Sequence, residues 1–150
     1  MLESREKGGP DVRGILACLW QLIQSVMDDS EPDLEALGLS PKAFFLLAAV
    51  EEHPFPAVLA RRMHLPPPTV TYMVKRLEKK GLLERRAEPG DLRKFRLVQT
   101  AAGREALCRG TEALRLVLDE RLRRLDPKEV VIFDRIVKRL AERTGGGDRR

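Results

Sequence analysis

Apolar residues recur along the chain with helical spacing, switch briefly to short strand-like runs, and return to helical spacing. From about Asp11 to Asp28, Ile15, Leu19, Leu22, Ile23, Val26 and Met27 share one face, with Leu16 and Trp20 widening the stripe. This spacing predicts a first helix. Ser40-Pro41 supplies an N-cap followed by proline at the first helical position, opening a second helix that carries Phe44 to Val50 and stops at His53-Pro54. Pro56 then permits a short third helix with Leu59, Ala60 and Met63. After a tight connection at His64-Leu65 and the run Pro66 to Pro68, a fourth helix is predicted over Pro67 to Lys80. Its buried stripe is Val70, Met73, Val74 and Leu77, and Gly81 marks its end.

Leu82–Ala87 and Arg93–Val98 read as two strands joined by a turn containing Pro89-Gly90. Thr100 caps a long fifth helix reaching about Arg124, and Asp126-Pro127-Lys128-Glu129 opens a last helix through a capping box. The tail from Gly145 to Arg150 reads as frayed. The fold class expected is mainly α with a small β-hairpin (α+β). A winged helix-turn-helix lobe over residues 40–100 sits between flanking helices in 1–35 and 101–145. At 150 residues the chain suits a single domain.

Charge sharpens this picture. The net formal charge of +5 is unevenly spread: residues 1–55 carry −6, residues 56–100 carry +7 and residues 101–150 carry +4. A polyanion is therefore steered to the central lobe. With Val70, Met73, Val74 and Leu77 turned inward, 100° per residue puts Pro68, Thr71, Tyr72, Lys75 and Lys79 on the opposite side, flanked by Thr69 and Arg76. In a helix-turn-helix this second helix enters the major groove of duplex DNA. Thr71 and Tyr72 suit base edges or phosphates, while Lys75, Arg76 and Lys79 suit phosphates. The N–H groups at the helix start are a further phosphate site. In the hairpin, Arg85, Arg86, Lys94 and Arg96 surround a tip bracketed by Asp91 and Arg93. Arg93 is the candidate for insertion into a minor groove, held extended by Asp91.

Other chemistry is sparse. His53 and His64 have no acidic or thiol partners at catalytic or metal-ligand spacing, so no enzyme and no metal site is expected. They read instead as a helix end and a turn residue. Cys18 and Cys108 stand far apart, which suits reduced thiols in a cytoplasmic protein, and no cofactor motif is visible. The longest apolar run, Ala43 to Val50, is too short for a membrane span, and the polar start MLESREKGGP is no export signal.

Several stretches together resemble the MarR-type winged-helix transcriptional regulators. They are Leu59-Ala60, Thr69-Val70-Thr71, the run from Lys75 to Arg86, Asp91-Leu92-Arg93, and Thr100-Ala101-Ala102-Gly103-Arg104. The match runs from about Ser40 to Leu107, and the flanking helices agree with the family's layout. The resemblance implies a homodimer that binds pseudo-palindromic operators, usually as a repressor, and is released by a small ligand or an oxidant. Tyr72 stands where the family often has arginine, Pro68 replaces a small polar residue and Leu92 replaces a frequent arginine, so base preference does not transfer. A ligand pocket between the flanking helices and the lobe would place Trp20 and Phe45 against an aromatic or acidic effector, with plain core packing as the alternative. Cys18 is the candidate for oxidant sensing, with a buried inert thiol as its alternative. An architectural or protein-binding winged helix is the remaining rival reading.

Overall fold

The computed structural model describes residues 9–142; the expectations placed on the first eight residues and on the tail from Gly145 fall outside it. Its elements are α1 (Val12–Ala36), α2 (Pro41–Ala49), α3 (Pro56–Arg62), α4 (Pro67–Lys79), β1 (Leu83–Glu88), β2 (Asp91–Gln99), α5 (Ala101–Leu122) and α6 (Pro127–Ala141).

The predicted caps operate. Ser40 Oγ accepts from the Ala43 N–H at 3.2 Å, and Thr100 Oγ1 from the Gly103 N–H at 3.0 Å. Asp126 and Glu129 close a reciprocal capping box at the start of α6. Each such cap stabilises its helix by about 1 kcal/mol. One boundary differs from the sequence reading: α1 continues past Asp28 to Ala36, with Pro32 inside it. Val26, Ser30 and Leu34, spaced four apart, are all buried, so the inward stripe crosses the proline while Pro32 itself faces solvent. Burying Leu34 is worth roughly 1.5–3 kcal/mol, which offsets much of the ~3 kcal/mol that a proline costs inside a helix. Gly38, at φ +75°, then turns the chain so that the Leu39 N–H reaches back to the Leu34 carbonyl.

One core gathers Leu34 and Leu39, then Phe44, Leu46, Leu47 and Val50 of α2, Leu59 and Ala60 of α3, and Val70, Val74 and Leu77 of α4. Leu82, Leu83, Leu97 and Ala106 complete it. The hairpin is antiparallel, pairing Leu83 with Gln99, Arg85 with Leu97 and Arg86 with Arg96. β1 is shifted by one residue from the sequence reading and β2 runs longer at both ends, because Gly90 at φ +91° lets Glu88 and Asp91 face each other across a tight Pro89-Gly90 tip. The base of the hairpin is pinned three ways. The Leu97 N–H donates to the Pro54 carbonyl at 2.8 Å, Gln99 Nε2 donates to the Leu47 carbonyl at 2.7 Å, and the Thr100 N–H donates to the Leu82 carbonyl at 3.2 Å. Gly103 permits the approach of α5, since a Cβ there would stand 2.0 Å from the Leu82 carbonyl oxygen.

Outside this lobe the packing changes character. α1 lies along α5, where Arg121 reaches Asp29 at 2.5 Å and Ser25 at 3.3 Å. α6 buries none of its residues.

Candidate nucleic-acid interface

The α3–α4 unit is formed by a tight turn whose pivot, His64, sits at φ +53°, and the Leu65 N–H returns to the Ala60 carbonyl at 3.0 Å. This turn aims α4 outward. Val70, Val74 and Leu77 are buried and Met73 is half-buried, leaving Pro68, Thr71, Tyr72, Lys75, Arg76 and Lys79 exposed, with Thr69 half-buried beside them. The helical-period assignment of the outward face therefore holds residue by residue.

Local bonding decides what each group can offer. Thr71 Oγ1 donates to the Pro67 carbonyl at 3.0 Å, so its hydroxyl proton is committed and its lone pairs remain as acceptors. Tyr72 and Arg76 form a unit one turn apart: Nη1 donates to the phenol oxygen at 3.3 Å, and the guanidinium carbon stands 5.6 Å from the ring centroid. Among the described residues, Lys75, Arg76 and Lys79 have no carboxylate within ion-pair distance. The start of α4 corrects one expectation. Pro67 and Pro68 have no N–H, and the Thr69 and Val70 N–H groups are both spent on the Pro66 carbonyl, at 3.0 and 3.2 Å. The helix N-terminus thus offers no free donors to a phosphate, and its binding chemistry resides in side chains.

In the hairpin, Arg85 does two things the sequence pattern did not announce. Its Nε donates to Glu78 Oε1 of α4 at 2.7 Å, and its guanidinium lies 4.5 Å from the Phe95 ring centroid on the opposite strand. Arg85 is therefore a strut between α4 and the wing. Arg86 pairs with Glu84 at 2.5 Å, while Arg93 and Arg96 are exposed with no carboxylate within ion-pair distance among the described residues. Asp91 does not hold the Arg93 guanidinium, as the sequence suggested. Its carboxylate accepts from the Arg93 backbone N–H at 3.0 Å and stands 3.9 Å from Lys94 Nζ, shaping the tip rather than the arginine side chain.

The remaining candidates lie elsewhere. Trp20 is 64% exposed and Phe45 45% exposed, so neither belongs to the core of a single chain; Phe45 meets Phe44 edge-to-face with centroids 5.3 Å apart. Cys18 is exposed rather than buried, on a face of α1 shared with Leu22 and opposite Phe133 of α6. His53 accepts from Arg62 Nε at 2.9 Å, which fixes the end of α3 against the loop after α2. Among the described residues no cluster of His, Cys, Asp or Glu is arranged to hold a metal, and no helix is long and apolar enough to cross a membrane.

Residues 37–94 match the model of the MarR family. The chain is also 34% identical over 104 residues to MdtR of Bacillus subtilis, named an HTH-type transcriptional repressor. The likeness to the MarR family is thus centred on the winged-helix lobe. The match to MdtR covers 68% of this chain and 65%, just under two thirds, of MdtR's own length. Among solved structures, YusO of Bacillus subtilis is 27% identical and superposes with a TM-score of 0.65 over 86% of this chain and 93% of its own. Rv2887 of Mycobacterium tuberculosis, a MarR family protein solved in complex with DNA, is 23% identical with a TM-score of 0.69, over 90% of this chain and all of its own. These likenesses span the flanking helices as well as the lobe, so the MarR winged-helix architecture extends over most of the chain.

Proposed function

We propose that this chain is a cytoplasmic transcriptional regulator of the MarR family, a repressor rather than an enzyme, that binds a pseudo-palindromic operator as a homodimer. The observation that carries the reading is the outward face of α4, where Lys75, Arg76 and Lys79 stand without a carboxylate partner among the described residues, beside a wing presenting Arg93, Lys94 and Arg96. Pro68, Thr69, Thr71 and Tyr72 face the base edges, while Arg85, Arg86 and Asp91 hold the wing in place. Relatives lend support: MdtR is named a repressor, and Rv2887 has been solved with DNA. The homodimer is supported by α1 and α6, whose apolar residues lack cover within one chain: Leu16, Trp20, Ile23, Val131, Ile136 and Leu140 are all exposed. A two-fold pair of lobes sets its recognition helices about 34 Å apart, one turn of B-DNA.

Selection of bound sequences from a random duplex pool tests this directly. An inverted repeat with half-sites one turn apart is the expected product, and affinity that falls with salt at about 0.9 log units per neutralised phosphate should accompany it. Equal affinity for every duplex would leave an architectural role, and no retention of DNA would end the reading. Release of the operator by a small aromatic or acidic ligand at Trp20 and Phe45 is part of the same proposal. The exposure of Cys18 favours one further version, oxidant release. It is lost if peroxide leaves operator binding unchanged in both the wild type and Cys18→Ser.

A further inference from the structure

Behind the wing, on the hairpin face carrying Glu84, Arg86 and Arg96, lies a groove of about 290 Å³. It is bounded by the end of α2, the start of α5 and β2, with Val50, Pro54 and Leu97 forming its apolar floor. Three guanidiniums line it. Arg86 and Arg96 are direct cross-strand partners, an arrangement of like charges that disfavours the hairpin unless something lies between them. Arg104 comes from the first turn of α5, and its Nη1 donates to the Gln99 carbonyl at 3.0 Å, which fixes the stem and leaves the rest of the fork free.

The carboxylates nearby do not cancel this charge. Glu84 takes up Arg86 at 2.5 Å. Glu51 stands at the groove's edge, yet it is within ion-pair distance of none of the three arginines, and neither Arg96 nor Arg104 has a carboxylate partner among the described residues. Two uncompensated guanidiniums above an apolar floor suit a small organic dianion. Planar guanidinium forks match the tetrahedral oxygens of phosphate in pairs, and an apolar floor adds contact for the carbon body behind them.

We propose that this groove binds a phosphate monoester, with Arg96 and Arg104 as its anchors, Arg86 assisting and the ester carbon lying over Val50 and Pro54. The site is separate from the outward face of α4; it shares Arg96 with the wing of the DNA-binding reading and assigns that side chain to the groove. Occupancy joins the hairpin to α5 through a shared anion. It also withdraws positive charge from the wing strand that bears Arg93.

The test is calorimetric titration of the full chain at constant ionic strength with phenyl phosphate and, separately, with inorganic phosphate. The expected result is saturable binding of phenyl phosphate, tighter than that of inorganic phosphate. In Arg96→Gln, where the side chain is exposed and the fold should be indifferent, affinity should drop about tenfold or more. Lys128→Gln on α6 removes the same net charge elsewhere and should change nothing. Absence of saturable heat, or equal weakening in both variants, overturns the proposal. So does a result in which phenyl phosphate does not bind but Arg96→Gln lowers the salt slope of DNA binding by about one, because Arg96 would then be a backbone contact. Since the titration contains no DNA, its failure leaves the regulator reading standing.

Discussion

The lobe between Ser40 and Gln99 and the helices outside it use the same kinds of residue to different ends. In the lobe, Leu46, Leu47, Leu59 and Val70 are completely buried, and the charged residues lie outside them. In α1 and α6, leucine, isoleucine and valine are just as frequent along their stripes, yet Leu16 remains 61% exposed and Leu140 78% exposed. One region satisfies its hydrophobic pattern within a single chain, whereas the other carries a pattern that a single chain leaves open. A closed core and an open apolar stripe thus sit in adjoining segments, joined by α5, whose early residues pack on the lobe at Gly103 and Ala106 while Leu116 faces solvent.

The two regions should therefore fail differently. Charging the open stripe, with Leu16→Glu and Ile136→Glu together, should leave the lobe folded and yield a monomer in sedimentation velocity. Operator affinity should then fall by about 10²–10⁴, the avidity of two linked lobes. A double variant that still sediments as a dimer would remove α1 and α6 from the interface. Truncating the closed core has the opposite signature. Leu47→Ala should cost about 2–5 kcal/mol in chemical denaturation, through the lost side chain and the cavity left in the core. The loss should appear at every protein concentration, and a cost below about 1 kcal/mol would mean the lobe is looser than its burial indicates.

The same contrast explains which features could be read in advance. Caps at Ser40, Thr100 and Asp126 depend on an oxygen meeting an N–H two or three residues along, so the local sequence contains the whole interaction. The outward face of α4 follows from the helical period and one buried stripe. What local pattern could not supply was contact between distant residues. Arg85 bridging Glu78 and Phe95 requires the hairpin to fold back beside α4. The passage of α1 through Pro32 requires a core waiting for Leu34. Loss of the donors at the start of α4 was written in Pro67 and Pro68, but the general attraction of helix N-termini for phosphate obscured it. Exposure at Trp20, Phe45 and Cys18 was illegible for a further reason. A periodic stripe states that a face is apolar, and only the packing partners decide whether it is covered.

The smallest effect expected lies on the exposed stretch of α5 that links the two regions. Glu112 accepts from Arg115 Nη2 at 2.6 Å and from Nε at 2.8 Å, and Arg115 also reaches Asp119 one turn on. The hydrogen bonds from Arg115 hold the Glu112 carboxyl below the usual glutamate range, against an opposing desolvation and with a lesser contribution from the arginine's positive charge, and the arginine is held correspondingly higher. Because the folded carboxyl titrates lower than the unfolded one, its contribution is present in full above the ordinary glutamate value of about 4.3 and disappears as pH falls through the folded value. Glu112→Gln should therefore melt slightly below the wild type near neutrality and coincide with it in acid, with the gap shrinking in high salt because the pair is solvated. Thermal melts across that range are sufficient to see it. A gap that persists after the carboxyl is protonated would assign the effect to side-chain packing along α5, and would place this part of the helix with the closed lobe instead of the open stripe.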